Sequence, residues 1–148
     1  MRGTLVLFVV FLATSIEVFA QSSDCNQFKN GMFKTTYKGI TDIIKRSGSD
    51  QIEYFQGSSD KPDHYIVKWL DDCTYTLTPD SSTLAENKDI PRNIVFTVRI
   101  TNPIKDSYTQ TMTDNLGKFN ITSVMTRIEF DMEMYIKGGK SKKSTKDN

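Results

Sequence analysis

An alternation of apolar and polar residues runs through the chain and limits the folds open to it. In residues 93–102, every second side chain from Ile94 to Ile100 is apolar, and those between are polar apart from Val95. Residues 128–136 repeat this pattern, with acidic side chains in most of the alternate positions. Successive side chains of a β-strand point to opposite faces, so each segment predicts a strand with one dry and one wet face. A helix would scatter the same apolar residues around its axis.

Shorter alternating segments predict further strands. They lie at residues 31–38, 41–47, 51–56, 64–70 and 73–78, with turns at 48–50 and 71–72. A helical turn is predicted near Leu84. The dipeptide Asn102-Pro103 is expected to end the strand predicted at residues 93–102. The threonine-rich residues 108–113 predict an edge or highly exposed strand, and residues 119–136 one long bent strand or two strands meeting at a bulge. The fold class is therefore all-β, an antiparallel meander of about eight strands that forms a barrel or half-barrel.

The first twenty residues have the features of a signal peptide. A short positive start at Arg2 leads into the apolar residues 4–13, and Val18 and Ala20 have the small-residue spacing of a cleavage site. A membrane span needs about 20 apolar residues, and Glu17 interrupts this run too early. We therefore predict a signal peptide at 1–20, one all-β domain at 21–137 and a disordered, lysine-rich tail at 138–148. The mature protein is expected to be secreted or periplasmic without a stable membrane anchor, and an uncleaved anchor is the alternative.

Two cysteines, Cys25 and Cys73, occur in the chain. Export would place them in an oxidising compartment, where paired thiols persist. A disulfide between them would close a loop of roughly 50 residues and stabilise the fold by about 4 kcal/mol on the chain-entropy model. Two free buried thiols are the alternative.

Catalytic and metal-binding patterns do not stand out in this sequence. The formal net charge is +1, which gives no electrostatic argument for binding nucleic acid. His64 is the single histidine, whereas zinc sites need several converging ligands, and no serine lies in a Gly-x-Ser-x-Gly turn. A thiol nucleophile pairing a cysteine with His64 competes with the disulfide. We predict no enzymatic activity, no cofactor and no metal; Asn120 begins a glycosylation triplet whose use the sequence leaves open.

Aromatic residues recur near one face of successive predicted strands. They are Phe33, Tyr37, Tyr54, Tyr65, Trp69 and Tyr75. If the strands curl together, these rings converge inside the fold. One interpretation is a packed core, because small barrels fill their interiors with side chains. The other is a cavity for a small apolar or aromatic ligand, in which tyrosine hydroxyls make the polar contacts.

Two motifs resemble those of a known group of proteins. Residues 25–33 fit the pattern Cys-x-x-Phe-x-x-Gly-x-Phe, and residues 69–77 fit Trp-x-x-x-Cys-x-Tyr-x-Leu. This pair is similar to that of small exported bacterial proteins of unknown function, which look like lipocalin-type half-barrels. The resemblance covers about the first half of the mature chain. It implies a lipocalin-like barrel or half-barrel and lends no activity.

The lipocalin comparison also implies a role for one arginine. Lipocalins open their first strand with Gly-x-Trp, and an arginine of the last strand packs on that ring. Gly31-Met32-Phe33 and Arg127 correspond to these parts, with a cation–π contact between Phe33 and Arg127. Phenylalanine replaces tryptophan here, and no second lipocalin motif follows. Arg127 therefore joins the six aromatic residues as a candidate ligand-binding residue.

Two functions follow from these features. The first is a binding module for a small apolar ligand, with the aromatic side chains as walls. The alternative is a non-catalytic structural or protein-interaction module of the envelope or extracellular space, in which the strand at 108–113 adds a strand from a protein partner of unknown identity.

Overall fold

The computed structural model describes residues 24–55 and 61–129, which form a closed barrel of eight antiparallel strands. The elements are a 3-10 helix (Cys25–Phe28), β1 (Gly31–Tyr37), β2 (Ile40–Ser47), β3 (Asp50–Tyr54), β4 (Asp63–Trp69), β5 (Thr74–Pro79), α1 (Ser81–Glu86), β6 (Phe96–Ile104), β7 (Ser107–Asp114) and β8 (Asn120–Ile128). Each strand pairs with its neighbours in sequence, and β8 pairs back onto β1. The predicted all-β meander is confirmed, and it is a closed barrel.

Tight turns determine which face of the first strands is inside. Lys38 and Gly39 both have positive φ, the backbone conformation that lets a two-residue turn match the twist of a hairpin. The resulting register places Phe33 opposite Ile44 on β2, and on the other side Phe33 lies opposite Arg127 of β8. The next hairpin turns at Gly48, as the sequence predicts, and sets Arg46 opposite Gln51. The side chains of these paired positions therefore share the inner face of the barrel.

The 3-10 helix seals one end of the barrel, which we call the closed end. Phe28 and Phe33 are fully buried there beside Tyr108 of β7. The ring centroids lie 4.6 Å apart for Phe28 and Tyr108 and 5.8 Å apart for Phe33 and Tyr108. A disulfide joins Cys25 to Cys73, which follows β4, and confirms the predicted pairing. The disulfide fixes the N-terminal segment across the closed end of the barrel.

Arg127 holds the same segment in place from β8. Its guanidinium donates to the backbone carbonyls of Asn30, at 3.0 Å, and Gln27. It also lies 5.1 Å from the centroid of the Phe33 ring, as the lipocalin comparison implies. Gly31 has φ of 136°, and a Cβ at this position would collide with Nη1 of Arg127. A glycine is therefore required where the guanidinium crosses the start of β1.

Two strand predictions are wrong. Residues 108–113 belong to β7, which pairs with β6 on one side and β8 on the other, so they are not an edge. Asn102-Pro103 does not end β6: the strand passes through an irregularity between Thr101 and Ile104, where Asn102 takes a positive φ. Asparagine tolerates this conformation, and proline needs no hydrogen-bond partner at such a bulge.

β6 begins at Phe96 and not at residue 93, whereas the other strand ends as far as the start of β8 lie within two residues of the predicted ones. α1 contains the predicted helical turn at Leu84, and Asp80 caps it by accepting from the backbone N–H of Thr83 at 2.8 Å. β8 ends at Ile128, and the predicted strand at 130–136 lies outside the described residues, as do the signal peptide and the basic tail. Within 24–55 and 61–129, no helix is long and apolar enough to cross a membrane.

Candidate functional site

The opposite end of the barrel, which we call the open end, holds a cavity of about 330 Å³. Its wall is mainly apolar, with side chains from all eight strands. Its lining residues are Thr35, Tyr37, Asp42, Ile44, Gln51, Glu53, Phe55, Tyr65, Tyr75, Leu77, Phe96, Gln110, Met112, Phe119, Ile121, Ser123 and Met125. This volume is at the lower end of the range, roughly 300–1,000 Å³, of small-molecule sites.

Three rings form a continuous aromatic wall along one side of the cavity. Tyr65 meets Phe96 edge to face with centroids 6.4 Å apart, and Phe96 meets Phe119 in the same way at 5.6 Å. Phe96 is the first residue of β6, and Phe119 directly precedes β8. The starts of these two strands therefore place both rings at the open end. Edge-to-face contacts hold the rings in fixed orientations. The cavity therefore has a preformed apolar surface on this side.

A buried polar network lies on β2 and β3, next to Tyr65, which pairs with Gln51 between β3 and β4. Arg46 donates from Nε to Oε1 of Gln51 at 2.7 Å, and Gln51 donates from Nε2 to Oε1 of Glu53 at 2.6 Å. Gln51 and Glu53 line the cavity, whereas Arg46 lies below it. The Gln51 amide thus connects the Arg46 guanidinium below the cavity to the Glu53 carboxyl group at the cavity surface.

The Glu53 carboxyl group of the cavity lining has a pKa raised into the neutral range. Its removal from water raises the pKa from 4.5 to about 7. The bond from Gln51 and the charge of Arg46 lower the pKa, while the carboxylates of Asp63 and Asp42 raise it. Near neutral pH, Glu53 therefore exchanges between a neutral and an ionised form.

Arg46 forms the floor beneath the cavity and is only 2% exposed. Its guanidinium donates to the backbone carbonyl of Phe28 at 2.9 Å and to the hydroxyls of Tyr75, at 2.5 Å, and Tyr108, at 3.4 Å. Its Cζ also lies 4.4 Å from the centroid of the Tyr75 ring. Hydrogen bonds and aromatic faces thus replace the water that this charge loses on burial.

The neighbouring tyrosine hydroxyls are held in their neutral form. Burial raises the pKa of Tyr65, and the nearby Glu53 and Asp63 carboxylates raise it further. Burial also raises the pKa of Tyr75 well above its ordinary value. On the same side, burial raises the pKa of Asp63 although Asn87 donates to its carboxyl group at 3.1 Å. This part of the cavity therefore disfavours additional negative charge.

The candidate residues from the sequence divide between the cavity and other parts of the fold. Tyr37, Tyr65 and Tyr75 line the cavity, as expected. The other candidates, Phe33, Tyr54, Trp69 and Arg127, do not. The structure therefore brings three of the seven candidates together around this cavity.

The four candidate residues that do not line the cavity lie in three other parts of the fold. Phe33 and Arg127 belong to the closed end described above. Trp69 packs against Tyr75 with centroids 4.6 Å apart, and the Lys29 ammonium group lies 5.1 Å from its ring on the side of the N-terminal segment. Tyr54 lies opposite Ile43, and both residues occupy the outer-face positions next to inward-facing Ile44 and Glu53.

The sequence-based search did not select Arg46, Gln51 and Glu53. Charged and amide side chains at alternate positions of a strand usually lie on its wet face, and the alternation of β3 puts the apolar Ile52 and Tyr54 on the face opposite to Gln51 and Glu53. The hairpin turns determine which face of β2 and β3 points into the barrel. With Phe33 inside, the turn at Lys38-Gly39 places Ile44 and Arg46 inside, and the turn at Gly48 then places Gln51 inside.

Within the described part of the chain, no three His, Cys, Asp or Glu side chains converge as metal ligands would. Comparison of the chain with protein-family models, with curated proteins and with solved structures finds no match. The relation to exported bacterial proteins stays a prediction, and the functional argument depends on the geometry of the barrel.

Proposed function

We propose that this protein is an exported binding protein that holds a small, mainly apolar or aromatic ligand in the open end of its barrel and does not transform it. The observation that supports this is the cavity of about 330 Å³ beside the aromatic wall of Tyr65, Phe96 and Phe119. Apolar ligands gain free energy by leaving water for such a surface, at about 25 cal/mol per Å² buried. The few polar groups in the lining would orient the ligand.

Export is part of the same proposal. The disulfide between Cys25 and Cys73 suits an oxidising compartment, where such bonds persist. The same bond holds the N-terminal segment against the closed end. Cleavage after Ala20, found by mass spectrometry of protein from the extracytoplasmic fraction, would support export. Retention of residues 1–20 would contradict it.

The alternative, a non-catalytic structural or protein-interaction module, has lost one of the observations that motivated it. Strand addition by a partner depended on an exposed strand edge at residues 108–113. In the barrel, β7 exchanges hydrogen bonds with β6 and with β8. The ligand-binding proposal is therefore the one that we develop.

Binding is tested with a neutral fluorescent aromatic probe, N-phenyl-1-naphthylamine, whose emission increases in apolar surroundings. The test variant Ile121→Trp fills the cavity from β8, and the matched control Val124→Trp adds the same ring on the outer wall of β8, where Val124 is 57% exposed. We expect saturable binding to the unmodified protein and to Val124→Trp, and at least about a tenfold loss of affinity for Ile121→Trp. Absence of binding to the unmodified protein, or equal binding to both variants, would contradict the proposal.

Trp69 provides a second readout that needs no probe. Its ring packs on Tyr75, which lines the cavity, so a ligand in contact with Tyr75 should alter the Trp69 emission. Apolar and aromatic compounds without their own fluorescence can be screened in this way. Failure of lipids, pigments and aromatic compounds alike to change the emission would argue against the proposal.

A further inference from the structure

The charged side chains of the cavity lining have one sign. Among the described lining residues, the charged ones are Asp42 of β2 and Glu53 of β3, and no lysine, arginine or histidine is present. The remaining polar lining consists of hydroxyl and amide groups. A ligand that enters this cavity therefore meets carboxyl groups on an otherwise apolar and aromatic surface.

The nearest positive charge is used elsewhere. Arg46 does not line the cavity, and its nitrogens donate to Gln51, the Phe28 carbonyl, Tyr75 and Tyr108. Gln51 lies between Arg46 and Glu53 and donates to one Glu53 oxygen. A ligand carboxylate or phosphate would therefore face the carboxyl groups without direct access to the guanidinium. A ligand cation would find an acceptor at Glu53.

The aromatic wall adds a second feature that suits a cation. Tyr65 of this wall lines the cavity together with Glu53, and an aromatic ring face attracts positive charge. The Tyr75 ring already packs against the Arg46 guanidinium, so Tyr65 is the tyrosine available to a ligand cation. The apolar surface formed by residues such as Leu77 and Met112 suits a hydrocarbon or aromatic body. An ammonium group and an apolar body within one small molecule would meet both parts of the lining.

We infer that the cavity selects amphiphilic amines, with the protonated amine donating to the Glu53 carboxylate and the apolar body lying against the aromatic wall. This inference rests on the proposed function, because it names the chemical class of ligand for the same cavity. It also predicts discrimination against fatty acids and other apolar anions of similar size. No bond is made or broken in this binding step.

The pH dependence of binding follows from the groups that face Glu53. These are Asp42 and Arg46 on β2, Asp63 and Tyr65 on β4, and Tyr75 on β5. With the Glu53 pKa at about 7, much of this group is protonated in slightly acidic solution and cannot act as an anionic partner. Affinity for an amine should therefore rise as the pH increases through about 7, as long as the amine itself stays protonated.

The test compares three compounds with one ring system and different head groups: 2-(1-naphthyl)ethylamine, 2-(1-naphthyl)ethanol and 1-naphthylacetate. Dissociation constants are measured by isothermal titration calorimetry on the full mature chain at about pH 8. We expect the amine to bind at least about tenfold more tightly than the alcohol, as a charge-assisted hydrogen bond would provide, and the acetate to bind most weakly. Glu53→Gln should remove the preference for the amine over the alcohol, because a neutral amide offers the ammonium group no anionic acceptor.

The control Asp50→Asn removes one negative charge from the same strand at an exposed position and should leave all three affinities unchanged. If the alcohol and the acetate bind as tightly as the amine, or if Glu53→Gln binds the amine normally, the amine inference is overturned while the proposed function stands. If none of the three compounds binds, and N-phenyl-1-naphthylamine also fails, the proposed function itself is overturned.

Discussion

The closed end and the open end of this barrel contain similar side chains, but those side chains have different roles. At the closed end, the guanidinium of Arg46 is surrounded by acceptors, and the Phe28, Phe33 and Tyr108 rings fill the space. At the open end, the rings stand around a cavity, and the Glu53 carboxyl group accepts its described hydrogen bond from Gln51. Both ends therefore contain buried charge among aromatic residues, but only one of them is filled.

This contrast shows how a small barrel can combine stability with a binding site. A packed interior contributes dispersion and hydrophobic free energy, whereas an empty cavity forgoes both. The disulfide and the cation-centred cluster concentrate stability at the closed end, so the open end can keep its cavity. Substitutions at the closed end should consequently change the free energy of unfolding more than substitutions at the mouth.

The largest loss is expected when the disulfide is removed. Cys25→Ala with Cys73→Ala frees the N-terminal segment, and a bridge across 48 residues of separation contributes about 4 kcal/mol on the chain-entropy model. The free energy of unfolding from urea titration measures this loss. A decrease of less than about 1 kcal/mol would show that the segment stays docked through Arg127 and Phe28 alone.

Arg46→Met tests the polar centre of the closed end. The substitution keeps an unbranched side chain but leaves the hydroxyls of Tyr75 and Tyr108 and the Phe28 carbonyl without their donor. We expect a loss of about 3 kcal/mol, the usual scale for removing one partner from a buried charged network. In the control Lys45→Met, on the exposed outer face of β2, the change should stay within about 0.5 kcal/mol. Equal effects of the two substitutions would contradict the assigned role of Arg46.

Glu53→Gln should raise the free energy of unfolding, in contrast to Arg46→Met, and it should do so only at higher pH. Because the folded-state pKa is raised from 4.5 to about 7, the folded chain holds a proton that the unfolded chain releases in this interval. Stability therefore falls as the pH rises from 4.5 to about 7, by at most about 3 kcal/mol at 1.36 kcal/mol per pKa unit.

The variant Glu53→Gln lacks this titration. It should be more stable than the unmodified protein by up to about 3 kcal/mol at about pH 8 and nearly equal to it at about pH 4. Urea titrations at both pH values measure the difference. Asp50→Asn serves as the charge control, and a constant difference between Glu53→Gln and the unmodified protein at all pH values would refute the linkage to Glu53.

The smallest effect on stability is expected at the mouth. Tyr37 is 43% exposed and lines the cavity, so Tyr37→Ser should change the free energy of unfolding by less than about 0.5 kcal/mol. It should nevertheless weaken binding of N-phenyl-1-naphthylamine, because a ligand loses one ring of the lining. Tyr54→Ser, on the outer face of β3, should leave probe affinity unchanged. If Tyr54→Ser weakens binding as much as Tyr37→Ser, the ligand does not occupy this cavity.

Much of the architecture could be read from the sequence because it depends on local patterns. The alternation in residues 94–100 predicts a strand since side chains of a strand have a period of two, and Gly48 marks a hairpin. Cys25 and Cys73 are the two cysteines of the chain, which leaves a single intramolecular pairing. These features need no knowledge of distant contacts.

The tertiary structure decided which face of each strand is inside and which rings surround a space. An alternating strand has two faces, and on β3 the apolar Ile52 and Tyr54 compete with Gln51 and Glu53 for the interior. Registry with β2 settles that choice, because a shift of one residue would turn every side chain to the other face. The lipocalin comparison implies the contact of Phe33 with Arg127, but the register in which β8 closes onto β1 joins residues far apart in the chain, and the alternation within each strand does not specify it.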